Sequence, residues 1–98
     1  MIIPFNTILV DLDGKDIPST KDKPATLKGV SIDALMAVYQ DEVNLDGEEK
    51  LKRYQLATKI SRDEKDFTVE DVSILKRLIG KAYGALIVGQ TWDMLEGN

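Results

Sequence analysis

The 98-residue chain contains neither cysteine nor histidine. Without cysteine it cannot form a disulfide, a zinc–thiolate site or an iron–sulfur cluster. Without histidine it lacks the commonest general base, the commonest transition-metal ligand and the base of Ser-His and Cys-His dyads. Because these absences remove most routes to a catalytic centre, we predict that the protein is not an enzyme and that it uses no cofactor and no metal site.

Long hydrophobic runs are also missing. The longest apolar stretch, at 85–88, is far shorter than the roughly 20 residues that a membrane helix needs. The first five residues carry no basic segment and no apolar core of the kind that a secretory signal requires. We therefore expect a soluble, cytoplasmic protein with no membrane partner.

Positive charge is in deficit. Thirteen Lys and Arg residues against seventeen Asp and Glu residues give a formal net charge of −4. Phosphate backbones are bound by clustered Lys and Arg, so this balance offers nucleic acid no general attraction. We predict that nucleic acid is not a partner, whereas the basic surface of another protein remains open as one.

The chain length and its 43% hydrophobic content predict one domain spanning residues 1–98. Residues 5–12 are rich in β-branched and apolar side chains and end at Asp13-Gly14, a dipeptide typical of tight hairpin turns. Residues 15–17 return as a short strand before Pro18, and residues 19–23 are predicted as a loop. A β-hairpin is therefore expected over residues 1–18, and it must either pack on the helices or pair its edge with another chain.

Residues 26–96 predict a bundle of three to four helices, so the fold class is mainly α (α+β). Thr26, Asp46 and Thr68 are placed to cap the first three helices, with Ser31 as an alternative cap for the first. The first two helices are expected to run to about Gln40 and Ser61, and the third to kink or end around Gly80 to Gly84. A fourth helix is predicted from Leu86 to Leu95, with Gly97 as its stop signal. Three helices have apolar faces at helical spacing: Leu27, Val30, Ala34, Leu35 and Val38 in the first, Leu51, Tyr54 and Thr58 with Leu56 and Ile60 beside them in the second, and Val72, Leu75, Ile79 and Ala82 flanked by Ile74 and Leu78 in the third. The second helix is the most charged and is expected to be the most exposed.

Residues 7–14 are locally similar to the phosphatase motif of the haloacid dehalogenase superfamily, an apolar strand followed by Asp-x-Asp-Gly. In that motif the first Asp, here Asp11, would be the nucleophile and Asp13 the general acid/base. That chemistry also needs a parallel sheet with a later Lys and later carboxylates, which have no counterpart in this chain. Lys15 stands where the family has Thr, so we interpret Asp11–Gly14 as a turn.

Residues 42–48 have the Asx-x-Asp-Gly centre of a calcium-binding loop. Glu42 would occupy the first ligand position, which is unusual. Arg53 would occupy the twelfth, where a bidentate Glu belongs. We interpret the segment as an acidic helix-capping turn. Loose binding of a divalent cation there or at Asp11–Asp16 remains open.

The fourth predicted helix has more apolar side chains than one face can hold. A single helix of a small bundle seldom buries so many, so part of it is predicted to meet a protein partner or a second copy. The alternative is a central helix surrounded by the hairpin and the other three helices. The predicted interface residues are Leu86, Ile87, Val88, Trp92, Met94 and Leu95.

Several segments together resemble a family of small proteins encoded by tailed bacteriophages and prophages. These are Pro-Ala-Thr-Leu at 24–27, the stretch 47–60 that opens with Gly-Glu-Glu-Lys, Ile-Gly-Lys-Ala-Tyr at 79–83, and Leu-Ile-Val-Gly-Gln at 86–90. The resemblance implies an accessory or assembly-related phage protein of undefined mechanism, with no catalytic residues to carry over. It also implies the bacterial host cytoplasm or the virion as its location.

From the sequence we therefore predict a non-enzymatic accessory protein that acts through protein–protein contacts, with a homo-oligomer or another protein as its partner. A role in virion assembly is one form of this prediction. The alternative is an acidic inhibitor that covers a basic surface of a host protein. A remote alternative is a small divalent-metal-binding protein.

Overall fold

The computed structural model describes residues 2–20 and 22–97, so Met1, Lys21 and Asn98 lie outside the described residues, as does that part of the predicted 19–23 loop. Four helices follow a short antiparallel hairpin at the N-terminus, which confirms the mainly α fold class. The elements are β1 (Pro18–Thr20), β2 (Lys23–Pro24), α1 (Leu27–Met36), α2 (Gly47–Ser61), α3 (Val69–Ala82) and α4 (Ala85–Leu95).

The first three helices begin at the predicted capping residues. The side chain of Thr26 accepts a hydrogen bond from the Gly29 amide at 3.1 Å, and that of Asp46 accepts one from the Glu49 amide at 2.9 Å. Thr68 forms a complete capping box with Asp71, in which each side chain accepts from the other residue's amide. These bonds satisfy amides that have no partner inside the helix, which is why polar side chains fix the helix starts so well.

Helix α1 ends at Met36 rather than near Gln40, so the prediction for its C-terminus was wrong. Ala37 is extended, with φ −71° and ψ 152°. The Tyr39 hydroxyl donates to the Ala34 carbonyl at 2.7 Å, the acceptor that the Val38 amide would use in a continuing helix. Val38 was predicted to be in the core and is instead almost fully exposed.

The buried face of α2 is rotated from the predicted one. Leu51 and Tyr54 of the predicted face are exposed, whereas Leu56 and Ile60, predicted beside that face, are buried together with Arg53. In α3 the predicted face is confirmed at Val72, Leu75 and Ile79 and at the flanking Leu78, whereas Ala82 is exposed. The buried positions of α2 are Arg53, Leu56, Ala57 and Ile60, and those of α3 are Val72, Leu75, Leu78 and Ile79.

The N-terminal hairpin lies further along the chain than predicted, because β1 and β2 flank residues 21–22. The turn at 13–14 is present, with Gly14 at φ +82°, but the strands on either side of it are reduced to a single bridge between Val10 and Asp16. Pro18 begins a strand instead of ending one, a position that an edge strand tolerates because no ladder donor is needed there.

Three N-terminal segments are joined in a closed ring of backbone hydrogen bonds. The Leu9 amide donates to the Ala25 carbonyl, the Ala25 amide to the Ile17 carbonyl, and the Ile17 amide to the Leu9 carbonyl, at 2.6–2.9 Å. The side-chain amide of Gln90 pairs with both backbone groups of Val10 at 2.9 and 3.1 Å. The amide and carbonyl groups of Leu9, Val10 and Ile17 are therefore all hydrogen-bonded within the chain. They leave no free backbone group at these positions for pairing with a strand of another chain.

Helix α1 packs against α2 and α3, and α4 packs on α3. The N-terminal segment and all four helices contribute to one cluster of buried apolar residues, to which α4 adds only Leu95. The alternative of α4 as a central, surrounded helix is therefore not what the chain adopts. The cluster comprises Phe5, Leu9, Leu27, Val30, Ala34, Leu35, Leu56, Ala57, Ile60, Phe67, Val72, Leu75, Leu78, Ile79 and Leu95.

One fully buried hydroxyl, that of Ser31 in α1, has no hydrogen-bond partner in the described part of the chain. An unsatisfied buried hydroxyl costs free energy, and alanine is the better helix former. We expect Ser31→Ala to leave the free energy of unfolding unchanged or to raise it by up to about 1 kcal/mol in urea titrations. Thr91→Ala is the matched control and should lower it, since the Thr91 hydroxyl is also buried but donates to the Ile87 carbonyl at 2.7 Å.

Candidate functional site

The predicted interface on α4 is largely committed to contacts inside the chain. Leu95 is 2% exposed and belongs to the core, so it is not accessible to a partner of the folded domain. Leu86 is the most accessible of the six predicted residues, at 40%. The other four are partly buried against the core or against α3: Ile87, Val88, Trp92 and Met94.

Trp92 is held on α3 rather than presented to solvent. Its indole N–H donates to the Lys76 carbonyl at 3.1 Å, and the Lys76 ammonium lies 4.7 Å from the ring centroid. A Cβ atom built on Gly80 would lie 3.4 Å from the ring, so the glycine permits the close approach of the two helices. Trp92 therefore holds α4 on α3. The outer surface of α4 near Leu86 remains accessible, so an interface there stays a prediction.

A concave surface that the sequence did not predict lies where α1 ends and the connector 37–46 crosses to α2. This groove has a volume of about 570 Å³. Leu35 and Arg53 are buried and form its base, whereas most of the connector and the outer face of α2 form its walls. The groove is lined by Leu35, Met36, Ala37, Val38, Tyr39, Gln40, Glu42, Val43, Leu45, Lys50, Arg53 and Tyr54.

Four large apolar side chains around this groove are exposed. Val38 is 98% exposed, Val43 85%, Tyr54 58% and Met36 56%. Single exposed apolar residues are ordinary on protein surfaces, but a contiguous group around a concavity marks a binding surface. We call these four residues the apolar rim.

The base of the groove is fixed by an ion pair between the connector and α2. Both terminal nitrogens of Arg53 donate to the two carboxylate oxygens of Glu42, at 2.7 and 2.5 Å. Arg53 is only 4% exposed, so this bidentate pair is shielded from water. Hydrogen bonds from the guanidinium are the main cause that lowers the pKa of Glu42 from 4.5 to about 2. The same bonds raise the pKa of Arg53.

Two cations of α3 join the ion pair from the side away from the groove. The Lys81 ammonium lies 3.3 Å from the Glu42 carboxylate and 3.1 Å from that of Asp41. The Arg77 guanidinium lies 3.8 Å from the carboxylates of Glu42 and Glu49. Complementary charges therefore hold the connector against two helices, in addition to the packing of Tyr39 on the core.

Tyr39 adds a hydrogen-bonded link between α1 and α3. Its hydroxyl lies 2.7 Å from the Ala34 carbonyl and 3.2 Å from the Leu78 carbonyl, and the Lys81 ammonium sits 4.7 Å from its ring centroid. Burial is the main cause that raises the pKa of Tyr39. Tyr39 and Glu42 thus tie the groove wall to α1, α2 and α3, and a wall held in this way lowers the entropy cost of binding.

The two acidic motif lookalikes have structural roles. One Asp11 carboxylate oxygen accepts hydrogen bonds from the amides of Asp13 and Lys15, at 2.9 and 3.0 Å, as in an Asx turn. Both Glu42 oxygens accept from Arg53. Within residues 2–20 and 22–97, no group of three or more acidic side chains is placed to hold a metal ion. None of the helices in the same residues combines the length and the apolar content that a bilayer crossing requires.

Sequence reasoning missed the apolar rim because it placed Val38 and Tyr54 on the apolar faces of two separate helices and did not bring them together. One signal was present in α2, where Arg53, Leu56, Ala57 and Ile60 follow the spacing i, i+3, i+4, i+7. An arginine in such a stripe predicts a buried ion pair, and it rotates Tyr54 to the outside. The extended backbone at Ala37, which exposes Val38, has no comparable signature.

No family model matches the chain, and comparisons with curated proteins and with solved structures also return no match.

Proposed function

We propose that the chain is a non-enzymatic protein-binding module whose contact surface is the groove between the end of α1 and α2. The observation that supports the proposal is the apolar rim, Met36, Val38, Val43 and Tyr54, set around a preformed concavity. Aromatic and apolar side chains around a depression are the usual anchors of protein–protein contacts. Leu86 on α4 is a smaller, second candidate surface.

The size of the rim suits one protein–protein interface. Its four side chains expose on the order of 500 Å², similar to the largest apolar patches found on monomers, many of which are functional. A standard interface buries about 800 Å² on each partner, of which somewhat more than half is apolar. The rim thus supplies the apolar centre of one such interface, with Lys50 and Gln40 as neighbouring polar positions.

We further propose that the module serves as an accessory protein of a tailed phage or prophage, acting in the cytoplasm of the bacterial host or in virion assembly. The sequence segments 24–27, 47–60, 79–83 and 86–90 support this setting by their resemblance to phage proteins. The groove supports the part of the proposal that concerns contact with another protein.

The proposal is tested by affinity purification of the chain from bacteria that produce it together with candidate phage and host proteins. We expect a partner to be recovered with the wild-type chain and to be lost with Val38→Asp, because a carboxylate would have to be desolvated in the apolar interface. Val38 is so exposed that this substitution leaves folding intact.

Val69→Asp is the matched control. It introduces the same carboxylate at another exposed valine, in the first turn of α3, where an acid is favourable. Loss of the partner with both variants, or retention with both, would contradict the proposal. Recovery that vanishes in high salt regardless of residue 38 would instead favour the acidic-inhibitor function.

A further inference from the structure

We infer that the occupant of the groove is an amphipathic helix of another protein, one that carries an Asp or Glu beside its apolar stripe. The inference rests on the proposed function and specifies the chemistry of its partner. Three features support it: the backbone of the groove walls, the charge left over in the lining, and the consequence of that charge for self-association.

The walls offer side chains rather than strand edges. Two walls are helical, and the connector 37–46 folds into consecutive turns, in which the Glu42 amide donates to the Tyr39 carbonyl and the Leu45 amide to the Glu42 carbonyl. An extended peptide is bound by adding to an exposed sheet edge, and the walls of the groove contain no strand. A helix that satisfies its own backbone and inserts apolar side chains at i, i+3 or i+4, and i+7 fits such walls.

The lining contains one cation without a counterion. Three charged residues line the groove, and two of them, Glu42 and Arg53, neutralise each other. The third, Lys50, is exposed and has no carboxylate within 4.0 Å among the described residues. The exposed acids Asp41, Asp46 and Glu48 do not line the groove. Asp41 pairs with Lys81, and Asp46 caps α2. The lining thus carries one positive charge without an ion-pair partner, which favours a partner with a carboxylate.

The same charge argues against a second copy as the occupant. In a symmetric dimer the same patch is present on both subunits, so the lining of one groove would meet the lining of the other. Each copy would bring Lys50 and the neutral Glu42–Arg53 pair, and neither would supply a free carboxylate. The two Lys50 side chains would repel each other in such a dimer, whereas an acidic helix would supply the missing carboxylate.

The test is selection of displayed random peptides of about 16 residues, long enough for roughly four helical turns, on the immobilised chain. We expect enriched peptides to carry apolar residues at helical spacing together with Asp or Glu. A synthetic enriched peptide should gain helical circular dichroism when mixed with the chain, and Val38→Asp should abolish binding while Val69→Asp retains it.

Charge reversal at Lys50 tests the acidic partner directly. Lys50→Glu should lower the affinity for the acidic peptides by about five- to tenfold. Selection on this variant should enrich peptides that carry Lys or Arg instead of Asp or Glu. Extended peptides, basic peptides on the wild-type chain, no enrichment, or a dimer in sedimentation that Val38→Asp dissociates would each overturn the inference. If affinity purification recovers a partner, the first three outcomes overturn only the inference about an acidic helix and leave the proposed function intact. A dimer that Val38→Asp dissociates would count against both.

Discussion

Replacing Glu42 with glutamine is expected to lower the free energy of unfolding at pH 7 by about 3 kcal/mol. The substitution keeps the shape of the side chain but leaves the guanidinium of Arg53 buried with no charged partner at hydrogen-bond distance. The nearest remaining carboxylate oxygen, on Glu49, is 3.8 Å from Nε of Arg53. Urea unfolding followed by the fluorescence of Trp92 measures the change.

The same substitution should remove part of the acid sensitivity of the fold. The pKa of Glu42 is about 2 in the folded chain and has its ordinary value of 4.5 when unfolded. Because the folded-state pKa is the lower one, the stabilisation is present above pH 4.5 and is lost as the pH falls towards 2. Wild type should therefore lose stability over this window more steeply than Glu42→Gln.

Two controls separate the ion pair from general charge effects. Glu64→Gln, at an exposed loop position, should change the free energy of unfolding at pH 7 by less than about 0.5 kcal/mol. The double variant Glu42→Leu/Arg53→Met should recover most of the loss, since it replaces a buried pair by apolar groups without leaving an uncompensated charge. Equal acid dependence of wild type and Glu42→Gln would contradict this role of Glu42.

Leu9→Ala is expected to destabilise the fold by about 3 kcal/mol. Leu9 is fully buried, and its backbone is one of the three members of the N-terminal ring. The truncated side chain would leave a cavity between this ring and the helices. Leu12→Ala is the control, because Leu12 is almost fully exposed and should change the free energy by less than about 0.5 kcal/mol.

Both leucines lie in the same short segment, and neither alanine substitution removes a backbone hydrogen bond. Thermal or urea unfolding of the two variants therefore compares a buried side chain with an exposed one. A loss from Leu9→Ala no greater than that from Leu12→Ala would show that the N-terminal segment does not contribute to the core. The expected difference would instead establish it as an integral layer beside the helices.

Local chemistry explains which parts of the fold were predictable. The capping residues Thr26, Asp46 and Thr68 act on amides no more than three residues away, and the predicted helix starts are confirmed. The end of α4 was predictable for the same reason, because Gly97 itself adopts the positive φ, +80°, that follows a helix end. The clean apolar stripe of α3 also predicted its buried face, except at Ala82.

Long-range contacts explain what was not predictable. Helix α1 ends where the Tyr39 hydroxyl takes over the Ala34 carbonyl and also reaches the Leu78 carbonyl, 39 positions along the chain. The N-terminal ring depends on Ala25, and Val10 depends on Gln90, 80 residues away. No pattern within one segment contains these partners, so the predicted hairpin was placed too early.

The candidate site was missed for a related reason. The apolar count of α4 drew the prediction to residues 86–95, yet Trp92 and Leu95 are used for packing inside the chain. The rim instead comes from residues on two helices and a connector. Val38 is exposed because α1 ends at the extended residue Ala37, and Tyr54 is exposed because Arg53 takes the buried side of α2. Sequence hydrophobicity alone cannot distinguish an apolar residue that packs internally from one that remains exposed.

Site-specific photo-crosslinking tests most directly whether the groove is the protein-binding surface. A photoreactive amino acid would be placed in turn at Val38 in the groove, at Leu86 on α4 and at Val69 as an exposed control, in bacteria that hold the partner. We predict a covalent adduct with one partner from position 38 and none from position 69. An adduct from position 86 with none from position 38 would contradict the groove and place the contact on α4.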